Sequence, residues 1–229
     1  LTYQQEYEAS FVNFHGQAYY PFNDKEHCGR LEYDPQKPLI FCFDFNVEPG
    51  VAAVCQEQRL PNGEDGTGVI GEVWIPRNSN TPAVCRRLIA DWGKHEGRVI
   101  CYGDSTGGNR GTAKTSGSDW DLIKEALRPQ FKDQLKFKIP NNPPERARVN
   151  AVNSRLKSQN GNIRLMVDDK HAPHVVKDFE GVRLLEGGSG EIDKKHDWQL
   201  THISDGIGYY VHTEFPIKKF TGGGFAPRG

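Results

Sequence analysis

The sequence predicts an α/β fold: a mixed central sheet, three antiparallel strands followed by parallel strands, flanked by helices. Three observations carry this reading. Two short β-prone runs, 38–46 and 50–58, are separated by Glu48-Pro49-Gly50, and Pro and Gly punctuate strands. A third run, 68–76, follows a stretch at 60–67 rich in Gly, Asn and Asp, which reads as a turn. From 81 onward strand-like runs alternate with helical patterns, the order expected when later strands lie parallel to the first.

The elements follow in order. The run Leu39 to Phe43 is apolar on both faces, which suits the centre of a sheet covered on both sides. Residues 81–95 form an amphipathic pattern with Val84, Leu88 and Ile89 on one side and Pro82 near its start. A fourth strand at 98–103 ends on Asp104, and a Gly-rich loop runs to Gly117. The next helix, 118–128, has Ser118 as its N-cap. A short strand at 134–139, a helix at 145–157, a strand-like run at 162–167 and a helix at 172–181 complete the middle of the chain. A Gly-rich loop at 187–190 precedes a last helix at 198–212, and 218–229 has the composition of a flexible tail. Residues 1–37 lack a sustained period, apart from a possible short helix at 3–14, and read as a linker or docking segment. The chain opens without Met and reads as a fragment.

Composition narrows the function classes. The 229 residues are 36% hydrophobic and 26% charged, an ordinary globular balance for one large domain or two small ones. No apolar run reaches membrane-spanning length, and no signal-peptide pattern is present. Of five cysteines, four (Cys42, Cys55, Cys85, Cys101) sit in apolar stretches, as small buried hydrophobes do, which fits a reducing compartment. The net charge of −1 gives no global basic field for nucleic acid. Residues 128–157, however, hold eight Lys or Arg against Asp133 and Glu145, an excess of +6. That stretch reads either as a phosphate-facing surface or as a solvated helical face. Trp74, Trp92, Trp120 and Trp198 lie in apolar settings and read as core.

Three acids stand out. Asp44 and Asp104 each end an apolar strand, where an ionised carboxylate must pair, protonate or bind a metal. If their strands are parallel neighbours, both acids lie at the sheet end where open α/β sheets bind ligands. Asp205 lies in the last helix, one turn after His202. Three converging carboxylates repel unless a cation lies between them, and hard divalent ions take such oxygen ligands. Two ions roughly 4 Å apart stabilise both the attacking and the leaving oxygen of a phosphoryl displacement.

Phe43-Asp44-Phe45-Asn46, Gly103-Asp104-Ser105-Thr106-Gly107 and His202-Ile203-Ser204-Asp205-Gly206-Ile207-Gly208-Tyr209 together resemble the nuclease domain of the large terminase subunit of tailed bacteriophages. Residues 144–153 resemble that family's helix after its second acid, and 3–7 the end of its ATPase part, so the resemblance spans about 1–217. It implies an RNase H-like fold over 38–217, with 1–37 the end of an absent ATPase part. It implies a metal-dependent endonuclease of double-stranded concatemeric DNA, using two Mg²⁺ or Mn²⁺ ions held by Asp44, Asp104 and Asp205 as catalytic ligands. Implied partners are DNA, the ATPase domain of the same subunit, a portal protein and a small terminase subunit, in the host bacterial cytoplasm and without membrane association.

The helix after the third strand offers no acid at its start, so a fourth ligand is unassigned, with Glu72 and Asp169 as candidates. Gly108 to Thr115 nearly matches a phosphate-binding loop, but Ala113 replaces the second Gly, where backbone freedom is needed. The loop reads better as an active-site loop whose Arg110 and Lys114 reach DNA phosphates or simply face solvent. Arg146 and Arg148 are further candidates for DNA contact, and His202 for an auxiliary role. Other RNase H-like nucleases, such as a resolvase or a hybrid nuclease, stay open, as does a non-catalytic DNA- or portal-docking module.

Overall fold

The computed structural model describes residues 16–45, 48–108, 118–186, 190–195 and 197–217. Its elements are α1 (Asp24–His27), β1 (Leu39–Asp44), β2 (Gly50–Arg59), β3 (Asp65–Ile75), α2 (Thr81–Trp92), β4 (Val99–Gly103), α3 (Asp119–Phe131), β5 (Leu135–Phe137), α4 (Glu145–Leu156), β6 (Leu165–Val167), α5 (Pro173–Gly181) and α6 (His202–Glu214). The six strands form one sheet in the order β5-β4-β1-β2-β3-β6. β1 and β3 run antiparallel to β2, and β4 runs parallel to β1. β5 is parallel to β4 and β6 to β3. This is the RNase H-like arrangement that the sequence leads one to expect, with β6 as an added parallel edge.

Both faces of β1 are covered. Leu39, Phe41 and Phe43 pack with Val84, Leu88, Ile123 and Leu127 of α2 and α3. Ile40 and Cys42 pack in the opposite layer, with Val149 and Val152 of α4, Val175 and Phe179 of α5, and Ile203 and Ile207 of α6. α3 starts on the expected cap: Ser118 and Asp121 bond each other's backbone amides as a capping box.

Among the boundaries that differ from the sequence reading, two have a clear physical reason. β3 starts at Asp65, so the turn before it shrinks to residues 60–64, closed by Leu60 N–H donating to Glu64 O at 2.8 Å. Gly66, which suggested a longer turn, lies inside the strand, while Gly63 stays in the turn. A Cβ on Gly66 would meet Arg164 O at 2.5 Å, because β6 approaches closely there. The last helix starts at His202, after Thr201 in the left-handed region (φ 82°) with no side-chain cap of its own. Trp198 therefore lies in the preceding turn, 51% exposed, rather than in the core.

Residues 16–37, read from the sequence as linker, pack on this body. Tyr19 and Phe22 lie against Phe179 with ring centroids 4.9 and 5.3 Å apart. Asn153 Nδ2 donates to Ala18 O at 2.9 Å, and Ala18 N–H donates to Val182 O at 2.9 Å. These contacts join residues more than 130 positions apart, and no local pattern announces them. The parts of the sequence reading that fall on 1–15, 109–117, 187–189 and 218–229 lie outside the described residues.

The uncapped start of α6 is served from α5. Asp178 Oδ2 accepts the Ser204 N–H at 3.0 Å, which satisfies an orphan donor of the first turn. Asp178 is 0% exposed, and its Oδ1 has no hydrogen-bond partner. Burial pushes its carboxyl up to about 7, against the opposing pull of the Ser204 hydrogen bonds and of His202. An unfolded aspartate titrates near 4. Between about pH 4 and 7 the folded chain thus holds a proton that the unfolded chain has lost, so this group's contribution to stability falls as pH rises across that window. Asp178→Asn keeps an acceptor without the charge. Melting curves should show it more stable than the parent at pH 8, with the difference fading toward pH 4. A constant difference would mean that Asp178 does not titrate there.

α6 also sits unusually close to β1. A Cβ on Gly206 would lie 3.1 Å from Cys42 O and 3.3 Å from Phe43 C. Gly206→Val should therefore lower stability by about 1–3 kcal/mol in urea unfolding, the usual cost of overpacking. No loss would mean that the helix has room to move away from the strand.

Candidate functional site

Side-chain alternation along two parallel strands brings the first two acids together. β1 and β4 pair in register, Phe43 opposite Gly103, so the next residues, Asp44 and Asp104, stand side by side about 4.8 Å apart in backbone spacing. Residues of one strand parity share a face. Asp44 follows Ile40 and Cys42, and Asp104 follows Ile100 and Tyr102, all on the layer that holds α4, α5 and α6. α6 crosses that face against the end of β1, with Asp205 in its first turn. Tyr209, one turn further on, senses the whole group. Its hydroxyl is pushed up first by burial, with Arg148 opposing and the charges of Asp104, Asp205 and Asp44 adding.

Each carboxylate has a distinct setting. Asp104 Oδ1 accepts from Thr106 N–H at 2.6 Å, Thr106 Oγ1 at 2.7 Å and Asn142 Nδ2 at 2.5 Å. Burial raises this carboxyl, but those hydrogen bonds and one from Tyr209 outweigh it and hold it below the usual range. Asp44 Oδ2 accepts from His202 Nδ1 at 3.2 Å, while His202 Nε2 faces the Trp198 carbonyl at 2.9 Å. Both partners are acceptors, so the ring is matched as an imidazolium. Burial lowers His202, but Asp44 and the Trp198 carbonyl more than compensate, and its pKa is raised. Asp205 is 8% exposed. Its Oδ1 accepts from Arg148 Nη2 at 3.1 Å, and its Oδ2 lies 3.8 Å from Lys194 Nζ. Burial raises the Asp205 carboxyl, Arg148 opposes, and the charge of Asp44 raises it further.

The donor set suits a hard divalent cation in kind: carboxylate oxygens from three elements on one face, two of them in mutual repulsion. Among the described residues no three His, Cys, Asp or Glu side chains are as yet arranged to hold a metal ion, since each acid is turned to a protein donor.

Other sequence candidates fall elsewhere. Arg110 and Lys114 lie outside the described residues. Arg148, expected to face phosphates, is 6% exposed and turned inward, with Nη1 donating to Pro143 O and the guanidinium 4.3 Å from the Tyr209 ring centroid. Arg155, Lys157 and Lys138 of the same basic stretch pair with Glu57, Glu26 and Glu214. Four of the eight cations of this stretch thus meet acids from distant parts of the chain, while Arg128, Lys132 and Lys136 lie exposed. Arg146 packs its stem against Gly190. Glu72 lies two strands from β1, accepting from the amides of His174 and Val175 at the start of α5. Asp169 is exposed beyond β6, three strands from β1. Neither stands beside the three acids. The residues that sequence reasoning missed here are Asn142 and Lys194, which sit in polar stretches without any motif, and Glu145 and Tyr209, which lie within the stretches 144–153 and 202–209 but carry no role there.

No protein-family model and no curated protein sequence matches the chain. Solved structures do. The large terminase of the thermophilic bacteriophage D6E in complex with ADP aligns with TM-score 0.60 and 14% identity, over 93% of this chain and 52% of that one. A further crystal structure of the D6E large terminase aligns with TM-score 0.58 and 16% identity, over 86% and 45%. The g2p (large terminase) nuclease domain of bacteriophage SPP1 with bound Mn aligns with TM-score 0.46 and 15% identity, over 79% and 86%. The chain spans about half the length of the D6E structures it matches. The D6E likeness is one of backbone architecture, and it establishes that this chain has the fold of part of a phage large terminase.

Proposed function

We propose that the chain is the endonuclease part of a phage DNA-packaging terminase large subunit, cleaving double-stranded concatemeric DNA by two-metal phosphodiester hydrolysis. The observation that carries this reading is the convergence of Asp44, Asp104 and Asp205 on one face at one end of the sheet. The fold shared with the D6E large terminase supports it. The nuclease unit would be 38–217 with 16–37 docked on it, 1–15 leading from an ATPase part of the same subunit, and 218–229 a tail. Portal protein and small terminase subunit are its proposed partners, and the host cytoplasm its place of action.

Asp44, Asp104 and Asp205 would hold Mg²⁺ or Mn²⁺. When bound, such ions supply charge stabilisation to the attacking water and the leaving oxygen as one P–O ester bond is exchanged for a P–OH. The chain's own residues prepare the site. Thr106 and Asn142 fix the orientation of Asp104 and keep it ionised. Arg148 fixes the orientation of Asp205 from within the protein and opposes the rise that burial imposes on its carboxyl. His202, with both ring nitrogens engaged, orients Asp44.

Asp44→Asn tests the reading most directly. It should reduce Mg²⁺- or Mn²⁺-dependent nicking of supercoiled plasmid by about 10³-fold or more, a typical scale for losing one organising electrostatic group. Its melting temperature should stay level or rise, because clustered like charges strain the metal-free state. Nicking at the parent rate would exclude these acids as the centre. A duplex preferred over an RNA–DNA hybrid separates a packaging nuclease from a hybrid nuclease.

Arg148→Ala provides the contrast. It leaves a buried carboxylate without its guanidinium, so stability should drop by about 3 kcal/mol. Reduced DNA affinity with unchanged stability would instead make Arg148 a phosphate contact.

A further inference from the structure

Asp205 is neutralised by two cations of different kinds. Arg148 is fixed: buried, bonded to the Pro143 carbonyl and lying over Tyr209. Lys194 is not. Its side chain is 56% exposed, and its described partners are two carboxylates, Glu145 Oε2 at 2.8 Å and Asp205 Oδ2 at 3.8 Å. The backbone that carries it is anchored. Ile192 is buried and donates its N–H to Glu145 Oε1 at 2.7 Å, and Asp193 N–H donates to Arg183 O at 2.8 Å. A flexible four-carbon stem thus extends from a tethered backbone and delivers an ammonium to the one Asp205 oxygen that Arg148 does not take.

That oxygen is also the one a metal ion would use. A divalent cation on Asp205 Oδ2 would lie within a few ångströms of the Lys194 ammonium, and like charges at that distance repel strongly in a partly buried site. Both cannot occupy the position. Glu145 offers the ammonium a second, closer partner at the rim, so leaving Asp205 does not strand it.

We propose that Lys194 is an exchangeable counter-cation of Asp205, holding Oδ2 in the metal-free chain, yielding it to the metal ion, and remaining on Glu145 at the rim, where an ammonium meets the DNA phosphate. The inference rests on the reading of the three acids as a metal site. It makes metal binding and the position of Lys194 competing events. Substrate phosphate favours the metal-bound arrangement, because it supplies the charge that the displaced ammonium has lost.

The test is Mn²⁺ binding to the DNA-free chain, measured by calorimetry and by the electron paramagnetic resonance of free Mn²⁺. Lys194→Met should bind Mn²⁺ about fivefold or more tightly than the parent, the lower end of ordinary site-to-site coupling. Lys194→Arg, which keeps the charge, should stay near the parent. The Met variant should lose its advantage when combined with Asp205→Asn. Mn²⁺ binding only after Lys194→Met would also support the exchange. Equal or weaker binding by Lys194→Met than by a parent that does bind Mn²⁺ would overturn the exchange and leave the nuclease reading standing. Absence of Mn²⁺ binding in both chains would overturn both.

Discussion

The parallel pairing of β1 with β4 is the constraint on which the rest depends. β1 is flanked by β2 and β4 and covered on both faces, so Leu39 to Phe43 are all buried. Its side chains have no freedom to change faces without inverting two cores at once. The in-register pairing from Leu39–Val99 to Phe43–Gly103 then leaves the next two residues adjacent, of the same parity, and beyond the last apolar pair. A carboxylate placed there is half sheltered by the sheet and open at one end. That is why two acids about sixty positions apart in sequence stand at the same end of the sheet, where both charges act on Tyr209.

The third acid depends on a helix that cannot cap itself. α6 follows Thr201 in a left-handed conformation, and its amides are met by Asp178 from α5. Its closeness to β1 rests on Gly206, where any side chain would press on the strand's carbonyls. A buried, partly unbonded Asp178 costs stability at neutral pH, and the same residue holds the helix start that carries both His202 and Asp205. Stability and site geometry are therefore set against each other at this one carboxylate.

Charges elsewhere on this face are used to join elements. Arg155 of α4 donates to Glu57 and Thr67 and lies 3.8 Å from the Phe215 ring centroid, while Tyr210 of α6 donates to the same Glu57. One acid on β2 thus ties two helices to the sheet. With Arg148 on Asp205, this shows how two arginines of the basic stretch 128–157 became internal, while Arg128, Lys132, Lys136, Lys138 and Lys157 stay exposed. Charge density along the chain says how many cations are present, and only the fold says which acids they meet.

By itself the sequence determined the alternation of strand and helix, the antiparallel first three strands, the parallel fourth, and Asp44 and Asp104 as strand-end acids. These are consequences of local periodicity and of Pro and Gly punctuation, which act within a few residues. Tertiary structure alone decided the place of 16–37, the extension of β3 through Gly66, the exposure of Trp198, the inward turn of Arg148, and the arrival of Lys194 and Asn142 beside the acids. Apart from the exposure of Trp198, each of these rests on a contact between residues far apart in the chain. Hydrogen bonds and ion pairs of that kind leave no period in the sequence, because their partners are brought together by the packing of the sheet and its two helix layers rather than by local conformation.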